Sequence, residues 1–215
     1  MNTYNEGEFR AAYNAASSEA VKLHAIWNLI GDLYSDQENA DIQTDSAALS
    51  FRFVQLALYE TLIMKIALFL EGVRVCGQEV LSLKNIAASA PDSCKSELEA
   101  KAQQVRDSHQ CVIDIRHNAL AHRNKVQALD PALASGITTA QLDSAVEDIR
   151  KFLNDVAKEI GEVHVAYEYT SGIGDGKQML TVLKMGLEMQ ELGIEIWKPE
   201  TTLESLKQRI ENATT

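Results

Sequence analysis

The chain has 215 residues, enough for one domain with a sizeable core and an appendage but too few for two large domains. A 46% hydrophobic content with 24% charged residues and only three prolines excludes disordered, collagen-like and Pro-rich architectures and leaves long stretches free to be helical. Thirty-one acidic against twenty basic residues give a net charge of -11, which repels polyanions and excludes broad coating of nucleic acid, so any nucleic-acid site has to be local.

In chain order, Phe9, Tyr13, Ala16, Ala20, Leu23, Trp27, Ile30 and Tyr34 step by four and three, which predicts a long amphipathic helix over residues 6 to 34. The polar stretch SDQENADIQTDS reads as a connection. Residues 47 to 72 then read as a helix apolar on nearly every side, which belongs in the middle of a bundle, with Gly72 as its C-terminal cap. A short apolar piece at Val80 to Ala88 is followed by Pro91 and Asp92. These open a third long helix to about Ala121, with Leu98, Ala102, Val105, Val112 and Ala119 inward. After NKVQALDPALASG, the residues Leu142, Val146, Ile149, Leu153, Val156, Ile160, Val163 and Tyr167 predict a fourth helix of about 30 residues. The fold class is therefore all-α: an antiparallel bundle of four long helices with a short extra helix, over residues 1–170. Residues 171–215 form a C-terminal helical appendage, with one helix around Met179, Leu180, Leu183 and Leu187 and another over Thr201 to Asn212.

Cys76, Cys94 and Cys111 are odd in number and contain no CxxC pair, so neither a disulfide framework nor a cysteine zinc site is indicated and a reducing cytoplasm fits. The N-terminus lacks a basic region followed by an apolar run, and the most apolar stretch, Phe53 to Leu70, is interrupted by Gln55, Glu60 and Lys65. Export and membrane insertion are not expected. No HExxH or repeated carboxylate spacing indicates a metal, and no cofactor motif is present. The stretch Ser171-Gly-Ile-Gly-Asp-Gly-Lys177 departs from a phosphate-binding loop, since Ser171 replaces the first glycine and Gln178 the hydroxyl residue.

The informative segment is Asp114-Ile-Arg-His-Asn-Ala-Leu-Ala-His122-Arg-Asn-Lys125. On a helix the neighbours of Arg116 one turn away are Val112, Ile113, Ala119 and Leu120, all apolar, so its guanidinium sits in an inward or interface surface. A charge there is costly unless it is paired. The same test finds Glu60 among Leu56, Ala57, Ile63 and Met64, which makes Glu60 the expected partner of Arg116. His122 lies one turn beyond Asn118 near the expected helix end, can exchange protons near neutral pH, and has in Arg116 a neighbour able to hold a phosphate bidentately. His109 lies on the same seam as Arg116 and reads as a core or interface histidine.

Arg116, five intervening residues and His122, near the end of a long helix, resemble the HEPN superfamily, whose signature is an arginine, four to six residues and a histidine. With polar His117 after the arginine and the Ala-His ending, the segment is most similar to the abortive-infection and toxin-like branch. The resemblance covers the helical region to about residue 169. It implies a homodimer in which the motifs of two subunits face one another in a single cleft, and metal-independent endoribonuclease activity of a toxin or phage-defence effector. Arg116 and His122 would be catalytic, His117 and Asn118 supporting together with Glu60, and Arg123 and Lys125 RNA phosphate contacts. Some relatives have a tyrosine at the position of Asn124 that a partner enzyme modifies; control of that kind is not implied here, whereas an antitoxin protein that covers the cleft is compatible. Other HEPN domains are non-catalytic modules that bind a nucleotide or protein partner through the same cleft, which is the second reading.

Overall fold

The first seam folds as read. Helix α1 spans Glu6–Tyr34 and buries Phe9, Tyr13, Ala16, Ala20, Leu23 and Ile30. The structure is a computed structural model and describes residues 5–75, 77–117, 136–169 and 175–192, with Lys207, Gln208 and Asn212. The other described elements are α2 (Gln37–Leu70), a two-stranded antiparallel hairpin of β1 (Arg74–Val75) and β2 (Gln78–Glu79), α3 (Leu83–Ala88), α4 (Asp92–Ser108), α5 (Gln110–Ile115), α6 (Thr139–Glu159) and α7 (Gly176–Glu191). The protein is all-α, and among the described residues this hairpin is the one departure from helix and connection. It forms two compact units, one of Met1–Asn28 and Leu58–Thr170, the other of Leu29–Ala57 and Ser171–Thr215.

In the first unit, α2 buries its last turns through Leu62, Ile63, Ile66, Ala67, Phe69 and Leu70, and α6 buries Leu142, Ala145, Val146, Ile149, Phe152, Leu153 and Val156. These positions repeat at three and four because one side of each helix faces the core. Polar ties fix neighbouring helices around this core. Lys65 on α2 reaches Glu19 on α1 at 2.7 Å, Lys101 on α4 reaches Asp155 on α6 at 2.9 Å, and Trp27 donates to Asp143 at 2.9 Å.

Three sequence expectations are corrected here. The polar stretch after α1 is helical, because Asp36 caps it, accepting from the Asn39 amide at 2.9 Å, and Gln37 bonds Asp41 one turn on at 2.7 Å. Helix α2 therefore starts ten residues early, with one non-helical residue inside it at Ala47. The fourth helix ends at Glu159 and not near Tyr167. Gly161, at φ 71°, allows the Glu162 amide to bond back to the Ala157 carbonyl at 2.9 Å, closing a Schellman turn that other residues adopt only with strain. The chain then returns along α6, held where Asn154 bonds both the amide and the carbonyl of Val165 at 2.8 and 3.1 Å. Val163, expected in the seam, is exposed, while Tyr167 remains buried. Finally, residues 47–61 of α2 contain no buried residue, so this apolar segment does not lie inside the bundle.

Helix α2 is long and apolar enough, by length and composition, to cross a membrane, and one third of its apolar window is buried within the protein. In the second unit, Asp175 caps α7 by accepting from the Gln178 amide at 2.9 Å. The helix start packs so closely on α1 that a Cβ on Gly176 would lie 2.6 Å from the Cβ of Asp32.

One buried histidine gives the first unit a pH-dependent stability. His24 on α1 is buried and stacks on Tyr167, ring centroids 5.8 Å apart, and its Nε2 has no hydrogen-bond partner. Burial lowers its pKa below the usual 6.5, and the facing Arg150 adds to this, against opposing pulls from Glu168, Glu147 and Asp143. Above 6.5 the folded and unfolded chains both hold this imidazole neutral; below it the unfolded chain takes up a proton that the folded chain resists. Unfolding free energy should therefore fall as pH drops from 6.5, and His24→Leu should flatten that fall. Urea titrations of both proteins between pH 7.5 and about 5 check it; parallel slopes would show that His24 does not set the trend.

Candidate functional site

The end of α2 is fixed from two sides. Arg106 on α4 donates to the Leu70 carbonyl at 2.9 Å, and the buried Ser82 hydroxyl, which also caps α3, donates to the Gly72 carbonyl at 3.2 Å. A cation at a helix C-terminus satisfies carbonyls that have no partner within the helix. Between these two anchors stands Glu71, its side chain only 9% exposed.

The second wall comes from the segment expected as one long helix to about Ala121. That helix is broken at His109, whose φ of -119° and ψ of 27° separate α4 from α5. His109 is buried, and its Nε2 lies 3.0 Å from Oδ2 of Asp148 on α6. It is thus the satisfied core histidine that its seam position implies. Helix α5 buries Val112 and Ile113 and then widens into a π-type turn at Arg116 and His117. Such turns re-aim the side chains at the helix end.

Arg116 Nη1 donates to Glu71 Oε1 at 2.6 Å, and His117 Nε2 lies 3.2 Å from the same oxygen. The Arg116 side chain is 17% exposed, and its Nε is buried without a hydrogen-bond partner. One arm of the guanidinium is therefore held by a carboxylate, while a second donor on the same rigid fork is unmatched. A buried unmatched donor costs about 1 to 3 kcal/mol, and an additional acceptor at this point would relieve that cost.

Arg116 is nearly buried and follows the buried Val112 and Ile113, while Ala119 and Leu120 lie outside the described residues; the partner expected for it is not the one found. Glu60 is exposed, and the carboxylate on Arg116 is Glu71, three helical turns further along. Four apolar neighbours signal burial only where the helix itself enters the core, and α2 does so from Leu62 onward. Glu71 escaped the same test because it stands at the helix end, where the neighbours at i+3 and i+4 are no longer on the helix. The available signal was an acidic residue between the apolar Phe69-Leu70 and Gly72. His117, read as a supporting residue, is brought to the same oxygen. Asn118, His122, Arg123 and Lys125 lie outside the described residues.

Two other features resolve simply. In the glycine-containing stretch before α7, Asp175 caps the helix with its own carboxylate, accepting from the Gln178 amide, where a phosphate-binding loop would leave the helix start open. Among the described residues no group of three or more His, Cys, Asp or Glu side chains is placed to hold a metal ion.

The HEPN model AbiU2 matches residues 6–179, from the start of α1 into α7. The chain belongs to the AbiU2 family, a HEPN-type abortive-infection family. No curated protein and no solved structure matches it significantly. The AbiU2 match extends ten residues past the limit of residue 169 read from the motif and takes in the start of the second helical region. It also gives the Arg116 cluster a family context, because the arginine, five residues and histidine fall inside the matched region.

Proposed function

We propose that this AbiU2-family protein is a metal-independent endoribonuclease that acts as a toxin or phage-defence effector. The observation that carries the reading is the Arg116 guanidinium, held nearly buried by Glu71 with its Nε unmatched, six positions before His122 in a HEPN chain. Rigid bidentate donors of this kind suit a phosphate group that gains charge in a transition state. In the proposed reaction the RNA 2'-hydroxyl attacks the adjacent phosphorus while His122 accepts its proton, the bond to the 5'-oxygen breaks, and His122 returns the proton to that leaving oxygen. The products are a 2',3'-cyclic phosphate and a 5'-hydroxyl. Arg116 stabilises the charge on the non-bridging oxygens, His117 and Asn118 support the histidine and arginine, and Arg123 and Lys125 contact flanking phosphates. Glu71 takes the positioning role first given to Glu60. An antitoxin that covers this site would act by occlusion.

One observation favours the second reading, a non-catalytic module that binds a nucleotide or protein partner here: Glu71 already neutralises Arg116. The two readings separate on incubation of the purified protein with cellular RNA in the presence of EDTA. Cleavage lost in His122→Ala supports the nuclease. Intact RNA with saturable nucleotide binding, tightened by Glu71→Gln, supports the module.

A further inference from the structure

After Gly161 the chain returns over α6 and α1 of the first unit as a segment, residues 162–169, that belongs to no helix or strand. Its ties to the two helices are separate polar contacts. Arg10 on α1 pairs with Glu162, Asn28 on α1 donates to the Glu168 carbonyl at 2.9 Å, and Asn154 on α6 holds Val165 from both sides. One side chain anchors the segment in the core. Tyr167 is buried, whereas Val165 is half-buried and the other six residues are exposed. A segment without regular backbone pairing and with a single buried anchor opens locally at a lower free energy than the helices it covers.

The seat of that anchor is an ionisable ring. Tyr167 shares a hydrogen bond with the Ser17 hydroxyl at 2.9 Å and stacks on His24 of α1, with ring centroids 5.8 Å apart and planes 18° apart. His24 is itself buried, and its Nε2 has no hydrogen-bond partner. A neutral imidazole fits this place, because a bare ring nitrogen has no proton to satisfy. The imidazolium carries an N–H on both nitrogens and would bury a charged donor with nothing to accept from it. Burial is the strongest influence against a proton here, and Arg150 on α6 adds to it; Glu168 on the segment and Glu147 and Asp143 on α6 pull the other way. Glu147 is engaged by Arg150 at 2.7 Å and Asp143 by Trp27 at 2.9 Å.

We infer that residues 162–169 are a strap released by acid: a proton on His24 unseats Tyr167 and frees the segment, while α1 and α6 stay packed. Helix α6 keeps its ties to α4 through Lys101 and to α1 through Trp27, neither of which involves the strap. The released strap uncovers Tyr13, Ser17 and His24, a polar and aromatic side of α1 that the closed form hides. The direction follows from linkage. Above pH 6.5 the ring is neutral with the strap closed or open, and opening does not depend on pH. Below it the open, hydrated imidazole takes up a proton that the closed one resists, so the open fraction rises, by at most about tenfold per pH unit for one proton. His164, the strap's own histidine, is exposed and has no partner among the described residues.

Hydrogen–deuterium exchange of the full chain between pH 7.5 and about 5.5, each rate divided by the intrinsic rate at that pH, tests this. Peptides covering residues 160–169 report the strap and those covering 142–157 report α6. In the wild type, strap protection should be constant above pH 6.5 and fall below it by up to about tenfold per unit, while α6 protection holds. His24→Phe keeps a ring against Tyr167 that takes no proton, and its strap protection should stay level across the range; His24→Leu gives a second reading of the same loss. Asn154→Ala, which removes the clamp on Val165, should lower strap protection at every pH and keep the slope. A wild-type strap whose protection does not change with pH would overturn the inference. So would strap and α6 amides that lose protection together, or a fall that persists without the His24 imidazole and so belongs to His164. None of these outcomes bears on RNA cleavage, which is read separately.

Discussion

Glu71→Ala should destabilise the protein by about 3 to 5 kcal/mol, because it leaves the Arg116 guanidinium nearly buried without its carboxylate and removes one partner of His117. The same substitution at Glu60 should change stability by no more than about 0.5 kcal/mol, since that side chain is exposed and forms no ion pair with a described residue. Urea unfolding of the two variants at neutral pH makes the comparison directly. Glu71→Leu combined with Arg116→Met should recover most of the loss, because both charges are then replaced by apolar groups of similar volume. Equal, small losses for Glu71→Ala and Glu60→Ala would mean that the 2.6 Å pair does not hold the end of α2 to the end of α5.

That contrast also shows what could be read without coordinates. The seam of α1 and most of the seam of α6 were legible because three-and-four spacing over many turns admits only a helix with one buried side. Arg116 was legible for a related reason, as a charge among apolar neighbours within a turn. What failed did so for local causes. A polar segment with Asp36 at its start reads equally well as a loop, and the cap bond to Asn39 with the Gln37–Asp41 bond favours the helix. The apolar run of α2 reads as core throughout, whereas only the turns from Leu62 onward are buried in it and none of residues 47–61 is, a distinction the composition does not carry. The break at His109 depends on its bond to Asp148, 39 residues away in sequence, which no spacing rule reaches. Glu71 depends on where α2 stops, and helix ends are set by caps such as Arg106 on Leu70 that come from other helices.

His122→Ala should lower RNA cleavage by about 10² to 10⁴, the usual range for the loss of a positioned proton carrier, without altering the unfolding curve beyond about 0.5 kcal/mol. Arg116→Ala should reduce cleavage by about 10² to 10³, but it also strands Glu71 in a buried position. Combining Arg116→Ala with Glu71→Gln removes the stranded charge and separates the two effects: activity should stay low while stability returns. Restored activity in that double variant would show that Arg116 serves only to balance Glu71.

End-group analysis of RNA incubated with the wild-type protein in EDTA, beside His122→Ala and the Arg116→Ala/Glu71→Gln double variant, tests the proposed activity most directly. The expected result is fragments ending in a 2',3'-cyclic phosphate and beginning with a 5'-hydroxyl from the wild type alone. Fragments carrying a 3'-hydroxyl and a 5'-phosphate, or intact RNA after incubation with folded wild-type protein, would contradict it.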